Sequence, residues 1–111
     1  MSLVSERLSQ CRQKKKLSKR ESAKRIGVSQ PAYLRYETGE RSPSPQVIKE
    51  MAKVFGTSVA YLVGATDDPS PDVIEVSKQN NEKMFRLIEQ CSNMTEEQLH
   101  RLQVYASKLS P

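Results

Sequence analysis

Ser18-Lys19-Arg20-Glu21-Ser22-Ala23-Lys24-Arg25-Ile26-Gly27-Val28-Ser29-Gln30-Pro31-Ala32-Tyr33-Leu34-Arg35-Tyr36-Glu37-Thr38-Gly39 reads as two short helices joined by a three-residue turn. Ser18 and Glu21 have capping-box spacing, in which hydroxyl and carboxylate each satisfy an otherwise unpaired N–H of the first turn. Gly27 supplies the left-handed conformation that a helix C-cap requires. Ser29 then caps the second helix, Pro31 fits its first turn and Gly39 closes it. Ala23 is small where the helices cross. Ile26, Val28, Tyr33 and Tyr36 are the apolar positions that hold the second helix against the rest.

Outward from this stretch the pattern stays helical. Val4, Leu8 and Cys11 recur at helical spacing in a helix from about Leu3 to Lys15, and Leu17 follows as a buried plug. Ser44 and Pro45 repeat the cap-and-proline signal for a helix that ends at Gly56. Ser58 opens a short fifth helix that stops near Gly64. β-branched residues never alternate with polar ones over five positions, so the fold class is all-α.

Thr66-Asp67-Asp68-Pro69-Ser70-Pro71-Asp72 has two prolines, three aspartates and no apolar residue, the composition of a linker. The expected division is a domain over 1–66, a linker over 67–72 and a helical tail over 73–111. In the tail, Val73, Val76, Met84, Leu87, Ile88 and Cys91 fall along one side of a helix from Asp72 to Cys91, interrupted by Asn80 and Asn81. Thr95-Glu96-Glu97-Gln98 is a second capping-box match. Leu99, Leu102, Ala106 and Leu109 then follow at the 3, 4, 3 spacing of a helix-helix seam. Only Ser92-Asn93-Met94 separates the two, so a helical hairpin is expected. Two helices cannot bury both faces alone, and Leu87, Ile88, Leu99, Leu102, Ala106 and Leu109 are expected to form a homodimer contact. Packing on the chain's own first domain is the alternative.

Composition narrows the function classes. The chain has 111 residues, a formal net charge of +5 and 36% hydrophobic residues, against roughly 45–50% in ordinary soluble domains when Gly is counted. Its core is therefore small. Residues 1–66 carry 13 Lys or Arg against 5 Asp or Glu, and residues 67–111 carry 5 against 8. A basic part joined to an acidic part suggests a polyanion-binding domain attached to something with another task. The longest apolar run, Val59 to Val63, is too short to span a membrane, and no signal-peptide pattern is present, so a cytoplasmic protein is expected. Cys11 and Cys91 lie eighty positions apart without a C-x-x-C pair, which argues against a metal site or disulfide framework. His100 is the only histidine, has no nucleophile or metal partner in sequence, and no Gly-rich phosphate loop occurs. The expectation is a non-enzyme without cofactors.

Leu17-Ser18, Val28-Ser29-Gln30 and Tyr36-Glu37-Thr38-Gly39-Glu40-Arg41-Ser42-Pro43-Ser44, with Ala52-Lys53-Val54-Phe55-Gly56-Thr57-Ser58 and Tyr61-Leu62-Val63-Gly64, resemble the lambda-repressor-like, or XRE-type, helix-turn-helix family of bacterial and phage regulators. The resemblance covers residues 3–64 and implies a five-helix DNA-binding domain. Ser22 departs from it, since the family usually has an aliphatic residue there. The resemblance also places base-reading residues at Gln30, Pro31, Leu34 and Arg35, and a DNA-backbone contact at Lys19. It implies an ion pair between Arg12 and Glu37 that holds the recognition helix in place.

A helical-wheel reading of the third helix, at about 100° per residue, agrees with this placement. Ala32, Tyr33, Tyr36 and Glu37 share one arc; Gln30, Pro31, Leu34, Arg35 and Thr38 share the other. The second arc has no acid. Its amide suits adenine, its guanidinium suits guanine, and Leu34 and Pro31 offer apolar surface to a thymine methyl. Thr38, Arg41, Ser42 and Ser44 are expected to meet phosphates beside this helix. Lys19 lies at a helix N-terminus that favours an anion. The basic run Lys14, Lys15 and Lys16 suits the C-terminal end of its helix dipole as well as it suits a polyanion. The expected function is a dimeric repressor that reads a two-fold symmetric operator in double-stranded DNA. An antitoxin-type protein that neutralises a protein partner is the alternative, and a protein antagonist acting on the tail fits either.

Overall fold

The computed structural model describes residues 2–109. Among them are seven helices and no strand: α1 (Ser5–Lys14), α2 (Lys19–Ile26), α3 (Gln30–Thr38), α4 (Pro45–Phe55), α5 (Val59–Leu62), α6 (Glu82–Cys91) and α7 (Glu96–Leu109). The chain forms two compact units, Met1–Val73 and Ile74–Pro111.

In the first unit, serine begins four helices in the same way. The side chains of Ser18, Ser29, Ser44 and Ser58 accept from the backbone N–H three residues on, at Glu21, Ala32, Val47 and Tyr61. Each cap contributes about 1 kcal/mol. The Ser18 box is only half closed, because Glu21 Oε1 pairs with Arg25 Nε at 3.1 Å. Gly27 stands at φ 89° and ends α2, which leaves three residues before α3. Lys16 takes a left-handed conformation, φ 57°, in the turn after α1, and Leu17 is half-buried there instead of wholly enclosed.

These turns fold α1–α5 around one core. Leu8, Tyr33, Met51 and Leu62 are fully buried, with Cys11, Ala23, Ile26, Tyr36, Ile48, Ala52 and Phe55 around them. Burying each large side chain contributes roughly 1.5–3 kcal/mol. Ser22 sits in this core at 0% exposure. Its hydroxyl donates to the Ser18 carbonyl at 2.8 Å, so the one polar departure from an aliphatic position has a partner in its own helix.

The second unit departs from the expected helix over Asp72 to Cys91. α6 begins only at Glu82. Ser77 and Asn80 exchange side-chain-to-backbone bonds, Ser77 N–H to Asn80 Oδ1 at 3.1 Å and Asn80 N–H to Ser77 Oγ at 3.1 Å. Asn81 Oδ1 accepts from Met84 N–H at 3.1 Å as the α6 cap. Short polar side chains that satisfy the backbone locally compete with helix, and here they win. Asn80 therefore lies in a turn and has no place in a helix seam. Ser92–Thr95 connect α6 to α7. The second box closes in both directions, Gln98 N–H to Thr95 Oγ1 at 3.2 Å and Thr95 N–H to Gln98 Oε1 at 2.9 Å.

Charge also divides differently from the expected +8 and −3. Counted over the two units, residues 1–73 carry 13 cations against 8 acids and residues 74–111 carry 5 against 5. The helical tail is neutral. The surplus acid lies in Asp67, Asp68 and Asp72, which belong to the first unit.

Candidate nucleic-acid interface

α3 is short, and its two sides differ sharply. Tyr33 and Tyr36 are buried, with Ala32 and Glu37 half-buried beside them. Gln30, Pro31, Leu34, Arg35 and Thr38 are exposed. Leu34, at 37% exposure, is a large apolar side chain left facing solvent between Gln30 and Arg35. Among the described residues, the side chains of Gln30 and Arg35 form no hydrogen bond or ion pair, so their donors remain available to base edges.

The inward side is fastened by one charged fork. Arg12 Nε donates to Glu37 Oε2 at 2.7 Å, Nη2 donates to Glu37 Oε1 at 3.3 Å, and Nη1 donates to the Leu17 carbonyl at 3.0 Å. Side-chain exposure is 14% for Arg12 and 7% for Glu37. Burial pushes the Glu37 carboxyl upward, but the Arg12 guanidinium, the nearby Tyr33 hydroxyl and the charge of Lys19 outweigh it and hold the group below the ordinary carboxylate range. Burial, with the Glu37 carboxylate next, pushes the Tyr33 phenol far up. Its buried hydroxyl has no hydrogen-bond partner of good geometry among the described residues. One guanidinium thus ties α1, the turn after it and α3 together.

Around α3 lie the expected phosphate contacts. Lys19 is the first residue of α2, exposed and free of any ion pair among the described residues. Arg20 and Lys24, which the helix-turn-helix pattern did not single out, are also exposed on α2 and without an ion pair among the described residues. The signal for them was the lack of a second acid near Glu21, which serves Arg25. After α3 the chain turns back on itself, with Arg41 N–H donating to the Arg35 carbonyl at 3.3 Å. Arg41, Ser42 and Ser44 are exposed around buried Pro43. Ser44 Oγ already accepts from Val47 N–H at 3.2 Å, which leaves its proton free. Thr38 is more committed, since its hydroxyl donates to the Arg35 carbonyl at 3.1 Å. Lys14, Lys15 and Lys16 are exposed at the end of α1.

The second unit contains no buried residue among those described. Leu87, Ile88 and Leu109 are 44%, 50% and 67% exposed, Leu99 and Leu102 are half-buried, and Ala106 is exposed. Met84, Val104 and Tyr105 add exposed apolar surface that the 3, 4, 3 seam did not include. No helix of the described residues is long and apolar enough to cross a membrane.

Residues 8–62 match the family model described as helix-turn-helix. The uncharacterized HTH-type transcriptional regulator YqaE of Bacillus subtilis (strain 168) is 29% identical over 95 residues, covering 86% of this chain and 82% of its own length. YobD, a second such regulator from that organism, is 35% identical over 68 residues, 61% of each chain. The cryptic phage CTXphi transcriptional repressor RstR of Vibrio cholerae is 32% identical over 65 residues, 59% of each. In fold, the chain is similar to a transcriptional regulator from Listeria innocua, with a TM-score of 0.51 at 21% identity over 95% of this chain and 90% of that one. It is also similar to a chain in a SinR protein/SinI protein complex, with a TM-score of 0.52 at 20% identity over 95% of each.

Proposed function

Because the chain belongs to the XRE-type helix-turn-helix family of DNA-binding transcriptional regulators, we propose that it is a dimeric repressor whose α3 reads each half of a two-fold symmetric operator. The observation that carries this reading is the α3 surface. Gln30, Leu34 and Arg35 are exposed and internally unspent on a helix whose opposite side is held by the Arg12–Glu37 fork. Arg35 is the one charged base reader, suited to guanine, and Gln30 is suited to adenine. Lys19, Arg41, Ser42 and Ser44 position the helix through phosphates, and Thr38 contributes from the last position of α3. The protein works in the cytoplasm, where such DNA lies.

Dimerisation is supported by a tail with no buried residue among those described, in which Leu87, Ile88 and Leu109 are exposed and Leu99 and Leu102 only half-buried; with Ala106 these are the residues assigned to the dimer contact. The likeness in fold to one chain of a complex of two different proteins supports a second reading of the tail, as the target of a protein antagonist or, in the antitoxin reading, of a neutralised partner.

Measured binding to an operator separates the assigned roles. Arg35→Ala should relax preference at one base pair of each half-site by roughly 1–3 kcal/mol. Lys19→Ala should weaken all sequences alike and reduce the slope of log affinity against log salt by about one unit. An Arg35→Ala protein with unchanged preference at every position would rule out α3 as the reader.

A further inference from the structure

Arg7 makes contacts that neither the core nor the α3 surface requires. Its Nη1 donates to the Tyr61 carbonyl at 2.7 Å and to the Thr66 carbonyl at 2.6 Å, and its Nη2 reaches Asp67 Oδ1 at 2.6 Å. The guanidinium lies 4.4 Å from the centre of the Tyr61 ring. A few residues on, Thr57 Oγ1 donates to the Pro69 carbonyl at 2.8 Å. Between these anchors, Asp68 N–H donates to Thr66 Oγ1 at 3.2 Å and Ser70 N–H to Asp68 Oδ1 at 3.0 Å. The stretch that reads as a linker in sequence therefore begins as a strap fastened to α1 and to the chain around α5.

The ion pair is the weakest part of this clasp. Asp67 is 97% exposed, so water and salt screen it. Two main-chain carbonyls and a ring face hold the 21%-exposed Arg7 side chain, and they order a guanidinium that otherwise samples many rotamers.

We propose that Arg7 is a positioning residue for operator geometry: by pinning the strap it fixes where the chain leaves the DNA-binding unit, and so limits the half-site spacings that a dimer accepts. This rests on the dimeric reading above. Among the described residues, none of 71–76 forms a hydrogen bond, and Ser77 opens the bonded turn of the second unit. With the clasp closed, that free stretch spans about 20 Å at full extension. Released from Arg7 and Thr57, the free chain runs back to Ala65, whose N–H stays bonded to the Ala60 carbonyl at 2.8 Å, and roughly doubles in reach. A longer tether spreads the effective concentration of the second reading head over more spacings.

The test uses the full chain and inverted-repeat duplexes that differ only in the spacer between half-sites. Arg7→Met keeps an apolar stem over Tyr61 and removes the donors; Thr57→Val removes the second anchor with little change of shape. The native protein should prefer one spacing by about tenfold or more over a spacer altered by about half a helical turn; Arg7→Met combined with Thr57→Val, which opens both anchors, should reduce that preference to about threefold or less, and Arg7→Met alone should relax it part of the way. Affinity for an isolated half-site should stay native, which a merely weakened fold would not produce. Thr57→Val should relax the preference in the same direction, and it decides the matter if Arg7→Met does not fold. Folded variants that keep the native spacing profile overturn the role of Arg7 alone. A native protein that binds the inverted repeat as two chains without spacing preference overturns this inference alone, whereas one that binds it as a single chain overturns the dimeric reading and this inference with it.

Discussion

At the scale of single residues, the decisive contact is the Arg12 fork on Glu37. A carboxylate 7% exposed is stable only because its partner is 2.7 Å away and forked toward it, since removal of either charge leaves the other buried and unpaired. The folded Glu37 carboxyl titrates below its ordinary value. Its contribution to stability is therefore complete above the ordinary carboxylate range and disappears as pH falls through the lower folded value. Glu37→Gln should lower stability at neutral pH by roughly 1.5–3 kcal/mol, the scale of a hydrogen bond to a charged group, and should flatten that acid-side fall. Urea unfolding of both proteins across acid pH measures this; parallel profiles would contradict it. The family resemblance pointed to the pair. No sequence pattern pointed to the third arm, from Arg12 to the Leu17 carbonyl, or to the Arg7 clasp, because a main-chain carbonyl carries no side-chain signature.

At the scale of elements, serine caps, prolines in first turns and glycines after last turns made α2, α3 and α4 legible almost to the residue. Local chemistry sets those boundaries, and it is written locally. Gly27 shows this most cleanly. A Cβ built there would meet nothing within 4 Å, so any cost of a side chain comes from the backbone at φ 89° alone. Gly27→Ala should destabilise by about 1 kcal/mol or more, and Gly27→Asn by less, because asparagine tolerates the left-handed region better. Thermal unfolding that ranks alanine equal to glycine would refute that account of the turn. The start of α6 was misplaced for the same local reason in reverse. Apolar spacing from Val73 to Met84 suggested helix, but Ser77, Asn80 and Asn81 satisfy the backbone themselves and end any helix before Glu82. The outward arc of α3 was legible because burial of two tyrosines orients the whole helix. Thr38's inward bond was not, since a hydroxyl at a helix end can turn either way.

At the scale of the whole molecule, charge and apolar surface are allotted to different units. The first unit holds the excess of cations and a short helix whose Gln30, Leu34 and Arg35 are exposed; the second is neutral and has exposed apolar side chains on both helices. A basic unit of this size gains much of its affinity from phosphates, which are the same in every sequence. In the proposed function, specificity then rests on the few outward residues of α3 and on the presence of two copies. Half-sites about one helical turn apart, roughly 34–36 Å, would place both α3 helices on one side of the duplex. The most direct test is selection of bound duplexes from a random DNA pool by the intact protein, with the mass of the resulting complex measured in solution. The account predicts an inverted repeat occupied by two chains. Enrichment of no sequence, or of an asymmetric site occupied by a single chain, would contradict it.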